Sequence, residues 1–225
     1  MRRRAVLRYT LGVKEEQALM ELARKQFAIA EQLAHWCGVT KQAMSQVMRA
    51  LNEAGLTETG ADTKPQIWQL TLAGAARMQV PMPSGRRHSS WAVMQNAVHR
   101  NVVEILLSKD HPGFHFLTRR QLYKKGLNPS HGEYAGVDEK GATWLVLVDD
   151  FMMESRVIEK HWNREHRPPR RYWPDVGRRW SSTVNMFMVV TTSQEQLKRH
   201  EGFLQNSNVP ADILYLKPSW RGQQA

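Results

Sequence analysis

Phe27 to Leu56 reads FAIAEQLAHWCGVTKQAMSQVMRALNEAGL, and this stretch decides the fold. Ile29, Leu33 and Trp36 recur at helical spacing and give a first short helix one apolar face. Gly38 suits the left-handed turn that ends a helix, and Thr40 suits the cap that starts the next. In the second helix Met44, Val47, Met48 and Leu51 form the apolar stripe, and Gly55 marks its end. Lys41, Gln42, Ser45, Gln46 and Arg49 fall on the opposite face, which reads as polar and free of acid. Side chains of these types bond to base edges in a major groove. The same spacing also serves a plain helical hairpin with a solvated face.

The flanking residues favour the first reading. Val13 to Gln26 patterns as a preceding helix with Ala18, Leu19 and Leu22 inward. After the helical pair, Leu56–Thr59 and Gln66–Leu70 read as strands. Between them Gly60–Pro65 is turn chemistry, and Thr71 caps a short helix from Leu72 to Met78. Helix, turn, helix, hairpin, helix is the order of a winged helix. The segment resembles winged-helix regulators of the multiple-antibiotic-resistance type through Val39-Thr40-Lys41, Met44-Ser45, Leu51, Gly55-Leu56 and Leu70-Thr71-Leu72-Ala73-Gly74. The resemblance covers about the first third of the chain and implies double-stranded DNA as partner. Lys64 at the hairpin tip would lie along a minor groove, and paired half-sites make a homodimer plausible.

The whole chain has 225 residues, a hydrophobic fraction of 41% and a formal net charge of +11. It is long enough for two small domains and apolar enough for a core. A balance this basic favours polyanions. Residues 1–80 carry 11 basic against 7 acidic side chains, and residues 91–225 carry 19 against 14, so the excess is not one tail. Arg2, Arg3, Arg4 and Arg8 form a basic start that reads equally as a solvated tail or a DNA-contacting arm. No long apolar stretch follows it, and no run approaches the roughly 18 residues that span a bilayer, so neither a secretory signal nor a membrane is expected. The single cysteine, Cys37, allows no internal disulfide and suits a reducing cytoplasm. It reads as a small packed residue, not a nucleophile.

Pro, Gly and Ser cluster at 81–90, the expected linker between a winged domain at 1–80 and a second domain at 91–225. The second domain opens with a helix from Trp91 to Lys109, its buried side marked by Trp91, Met94, Val98, Val102, Ile105 and Leu106. Thr118 caps a short helix ending near Gly126. Strands are expected at Tyr134–Val137, Trp144–Val148, Val184–Thr192 and Ile213–Leu216, with helices within Glu154–His166 and from Ser193 to Asn206. That order makes an α/β sandwich with a mixed sheet, and the fold class α/β overall, α+β in layout.

The same order resembles the core of restriction-endonuclease-like nucleases. A winged helix joined to such a core resembles plasmid replication-relaxation and mobilisation proteins, on His99, Asp138 and Val146-Leu147-Val148-Asp149-Asp150. The resemblance implies a setting in plasmid or mobile-element transfer, replication or transcription, with other transfer or replication proteins as partners. Its active members use two acids and a lysine around Mg²⁺. Here no lysine stands two residues after Asp149 or Asp150, and Lys140 falls in a turn after Asp138, so the acid-x-lysine signature is incomplete. The domain reads as a degenerate nuclease fold, with a Mg²⁺-dependent nicking enzyme using Asp138, Asp149 or Asp150 as the rival. No Gly-rich phosphate loop or zinc spacing occurs, the nine histidines read as structural or surface residues, and no cofactor or metal is expected. The domain's strongest signal is Arg164 to Trp180, where Arg164, Arg167, Arg170, Arg171, Arg178 and Arg179 interleave with Tyr172, Trp173 and Trp180. Arginine neutralises phosphate and aromatic rings stack on unpaired bases, so these arginines and Trp173 are candidate nucleic-acid contacts.

Overall fold

The structure, a computed structural model, describes residues 9–59, 65–80, 91–130, 132–149, 153–166 and 178–216. The chain divides into two compact units between Ile105 and Leu106.

The first unit runs α1 (Val13–Lys25), β1 (Ala28–Ile29), α2 (Ala30–Trp36), α3 (Lys41–Glu53), β2 (Thr57–Thr59), β3 (Ile67–Leu70) and α4 (Leu72–Arg77), and then takes in α5 (Trp91–Asp110) as far as Ile105. Helix α2 ends as its sequence dictates. Gly38 takes φ +63°, Val39 N–H reaches back to Ala34 C=O at 3.0 Å and Gly38 N–H to His35 C=O at 3.3 Å. These are the two bonds of a Schellman turn, and they turn the chain into α3. Thr40 Oγ1 accepts from Ala43 N–H at 3.2 Å and starts that helix. Ala18, Leu19, Leu22, Leu33, Met44, Met48, Leu51, Leu56 and Trp68 close one core. Gly74 is required where α4 meets the chain after α3, because a Cβ there would stand 2.0 Å from Leu56 C=O.

Two features depart from expectation. Phe27 to Ile29 are not helical: Ala28 and Ile29 form a third strand, paired antiparallel with Trp68 and Ile67. The small sheet therefore has the order β1-β3-β2, and Ile29 N–H is held by Gln32 Oε1 at 3.3 Å as α2 begins. Secondly, the first three-quarters of α5 belong to the winged unit and not to the second domain. Asn101 Nδ2 donates to Phe27 C=O at 2.8 Å and to Gln32 Oε1 at 3.2 Å. Gln32 Nε2 donates to Val98 C=O at 2.8 Å, and Arg100 donates to Lys25 C=O at 2.9 Å. Lys25, buried, pairs with buried Glu104 and lies 4.8 Å over the Trp36 ring. Burial pushes the Lys25 ammonium pKa down, and the Glu104 carboxylate pushes it part of the way back. The buried side of α5 is accordingly Met94, Val98, Asn101, Val103, Glu104 and Leu107, with Val102, Ile105 and Leu106 half-buried. The polar pair Asn101 and Glu104 rotates the stripe away from the purely apolar one. Trp91's side chain and the linker 81–90 lie outside the described residues.

The second unit is a five-stranded mixed sheet in the order β10-β9-β6-β5-β4. Strands β4 (His115–Phe116), β5 (Glu133–Val137) and β6 (Thr143–Asp149) are antiparallel neighbours, while β9 (Met186–Thr191) and β10 (Ala211–Tyr215) run parallel to β6. Helix α6 (Arg119–Lys125) follows β4, α7 (Arg156–Asn163) follows β6, and α8 (Gln194–Gln205) joins β9 to β10. A short ribbon, β7 (Glu165–His166) with β8 (Arg178–Arg179), leads into a turn of 3-10 helix at Trp180–Ser182. Leu145, Leu147, Phe187 and Val189 make one sheet face, packed with Ile158 and Trp180. Trp162 stacks on Phe187 at 5.3 Å and 7°. Among the described residues no helix is long and apolar enough to cross a membrane.

Removing Glu104 leaves the Lys25 ammonium buried and uncompensated. Glu104→Ala is expected to destabilise the first unit by about 3–5 kcal/mol, measured by denaturant unfolding. A fragment of residues 1–110 should melt well above one of residues 1–90.

Candidate nucleic-acid interface

Helix α3 is fixed by what it buries. Met44, Met48 and Leu51 are fully buried and Val47 half-buried, so the residues half a turn away must face outward. Lys41, Gln42, Gln46 and Arg49 are exposed, and Ser45 is half-buried with its hydroxyl donating to Lys41 C=O at 2.9 Å. The face is less purely cationic than the sequence suggests. Glu31 of α2 pairs with Lys41 at 3.1 Å, and exposed Glu53 lies one helical turn beyond Arg49. The Lys41–Glu31 pair has both side chains about two-thirds exposed, so it costs little to open in favour of a phosphate. Cys37, half-buried in the turn, is not activated: burial and the nearby Glu21 carboxylate push its thiol pKa up.

The wing is a hairpin in which Glu58 sits directly opposite Gln69, whose amide donates to it at 2.9 Å. Its tip, including Lys64, lies outside the described residues, as do Arg2, Arg3, Arg4 and Arg8.

In the second unit the arginine candidates divide. Arg164 is not available as a phosphate ligand. Its Nε donates to Glu133 Oε1 at 3.1 Å, and its Nη2 donates to Glu133 Oε2 at 2.5 Å and to Asn128 C=O at 3.3 Å. Glu133, whose side chain is fully buried at the start of β5, also accepts from His161 Nδ1 at 2.6 Å and from Ser130 N–H at 2.7 Å. Burial alone would push this carboxyl's pKa up, but the bonds from His161, Arg164 and Ser130 override it and hold it at about 2. Nothing in the sequence pattern of Glu133 marks this; only the return of α7 across the start of β5 brings His161 and Arg164 to it. Arg178 and Arg179 are exposed on β8. Arg167, Arg170, Arg171 and Trp173 lie outside the described residues.

Of the acids expected to serve a nicking enzyme, Asp138 and Asp149 do not converge. Asp138 closes the β5–β6 turn, with Oδ1 accepting from Ala142 N–H at 2.9 Å and Oδ2 from Trp144 Nε1 at 3.2 Å. Asp149 stands at the far end of β6, six residues past the Thr143 that pairs with Val137. At about 3.3 Å per residue the two are about 20 Å apart, too far to share one ion. Buried Asp149 accepts from Met153 N–H at 3.0 Å and pairs with fully buried His200 at 2.9 Å, and Ser155 Oγ lies 2.9 Å from the other ring nitrogen. Asp150 lies outside the described residues. Among the described residues no group of three or more His, Cys, Asp or Glu side chains is placed to hold a metal ion.

No protein-family model and no curated protein sequence matches the chain. Among solved structures it is similar to a crystal structure of a MarR-family transcription regulator, at 21% identity and a TM-score of 0.27, over 48% of this chain. The match spans 63% of that regulator's chain.

The Glu133 cluster makes a pH prediction. A carboxyl held at about 2 in the folded chain, against about 4.3 when unfolded, stabilises the fold fully at neutral pH. That contribution, on the order of 3 kcal/mol, is lost as pH falls from about 5 towards 2. Glu133→Gln should lower stability at pH 7 and flatten its fall below pH 5; equal acid sensitivity in the two proteins would contradict the assignment.

Proposed function

We propose that this protein binds double-stranded DNA sequence-specifically, with α3 as the reading helix. One observation carries the reading: α3 turns Gln42, Gln46 and Arg49 outward on a helix clamped by fully buried Met44, Met48 and Leu51. The helix is seated between two glycine-ended turns, and a hairpin follows at the position a wing occupies. Arg offers two donors to a guanine edge and Gln a donor and an acceptor to an adenine edge, and Lys41 and Ser45 sit at the end of the helix that enters a groove first. The basic balance of the whole chain supplies the sequence-independent attraction that such a reader needs.

The second unit's order supports reading it as a restriction-endonuclease-like core without the catalytic acids. A helix, a strand, a second helix, two further antiparallel strands, a third helix, a short ribbon and a parallel strand follow one another, and Asp138 and Asp149 are each committed to protein donors. On this reading the protein is an accessory or regulatory factor and not a nicking enzyme. Plasmid or mobile-element transfer, replication or transcription is the setting that the sequence resemblance implies. A homodimer on paired half-sites fits the same reading.

The test is a selection of bound sequences from a random duplex pool, followed by titration of the best site. Gln46→Ala with Arg49→Ala should weaken binding to the selected site by about 10- to 100-fold while leaving most of the nonspecific affinity. Equal loss on all sequences would show that α3 does not read bases.

A further inference from the structure

Helix α6 has the sequence Arg-Arg-Gln-Leu-Tyr-Lys-Lys and carries no acid. Its apolar residue Leu122 and the following Leu127 pack into the second core, Thr118 Oγ1 caps it, and Arg120, Lys124 and Lys125 are exposed. Three residues after Lys125, Asn128 C=O accepts from Arg164 Nη2 at 3.3 Å. Arg164 in turn begins the β7–β8 ribbon, accepting at its own C=O from Trp180 N–H at 3.4 Å. Across that ribbon Arg178 pairs with His166 and Arg179 with Glu165, and both arginines are exposed. The buried carboxylate of Glu133 holds the junction, since it takes the guanidinium of Arg164, the ring of His161 and the N–H of Ser130 together. Lys125 stands three residues before Asn128 and Arg178 two before Trp180, and Arg164 bonds both Asn128 and Trp180. The one acid on these two elements is Glu165.

We infer that Lys124 and Lys125 of α6 and Arg178 and Arg179 of the ribbon form a second nucleic-acid surface, assembled by the Glu133–Arg164 clamp, whose occupant is the phosphate backbone of duplex DNA. The inference rests on the DNA-binding reading and adds to it a unit that binds without reading sequence. Arg164 and Glu133 are its positioning residues and touch no DNA. Contacts to phosphate oxygens from such cations would orient the unit on a duplex without reading its sequence.

The experiment uses the full chain and a fluorescein-labelled 40-base-pair duplex, followed by anisotropy over a salt series. Four proteins are compared: the natural sequence, the α3 variant Q46A/R49A, the surface variant K124A/K125A/R178A/R179A, and the two combined. The surface variant should bind any duplex about 10- to 100-fold more weakly than its parent and lower the salt slope by about 3 to 4, in both the natural and the α3-variant backgrounds. Unchanged affinity and slope in both backgrounds overturns the inference whatever the α3 variant does, and loss of site preference in the α3 variant alone bears only on the reading helix. A surface variant that loses single-stranded DNA binding while keeping duplex binding also overturns it. Glu133→Gln, if folded by circular dichroism, should reproduce the surface loss while the α3 site preference stays intact.

Discussion

A helix can present only the face that its packing leaves over. In α3 the three fully buried side chains are Met44, Met48 and Leu51, each stabilised by about 1.5–3 kcal/mol on leaving water. Rotating the helix by half a turn would expose all three and bury Gln42, Gln46 and Arg49 without partners. The outward polar face is therefore a consequence of the core, and the two glycine turns that bracket the helix fix where it starts and stops. The wing, the short first strand and α4 all close on this same core.

A second constraint is polar. Lys25, Gln32, Asn101 and Glu104 are buried: Lys25 pairs with Glu104, and Gln32 and Asn101 bond to one another and to the Val98 and Phe27 carbonyls, leaving Asn101 Oδ1 without a hydrogen-bond partner. Shifting α5 would strip a buried charge and buried amides of the partners they have, which favours one arrangement of α5 against α1 and α2 where an apolar seam would allow several. The second unit applies the same economy to its acids. Glu133, Asp138 and Asp149 each accept two or more bonds from protein donors. An acid engaged in this way holds strands, turns and ribbons together.

Much of this was legible in the residues themselves. Capping threonines at 40, 71 and 118, glycines at 38, 55 and 126 and the apolar run from Trp144 to Val148 each act within a few residues, and the elements they mark lie where the sequence places them. What escaped reading acts at long range. The strand at Ala28–Ile29 exists because Trp68 and Ile67 stand beside it, and no two-residue stretch announces a partner some forty positions away. Asn101 and Glu104 look like solvent-facing residues in α5 until Phe27, Gln32 and Lys25 are folded against them. Arg164 read as one of a row of free arginines, yet Glu133, thirty-one positions earlier, claims it. In α6 a short basic run is ordinary by itself; the bond from Arg164 to Asn128 is what ties it to the ribbon.

The central claim is that the outward face of α3 enters the duplex. Placing a photo-crosslinking amino acid at position 46, and separately at exposed position 17 on α1, tests it most directly. The account predicts efficient cross-linking to a bound duplex from position 46 and little from position 17. Cross-linking from position 17 with none from position 46 would contradict it.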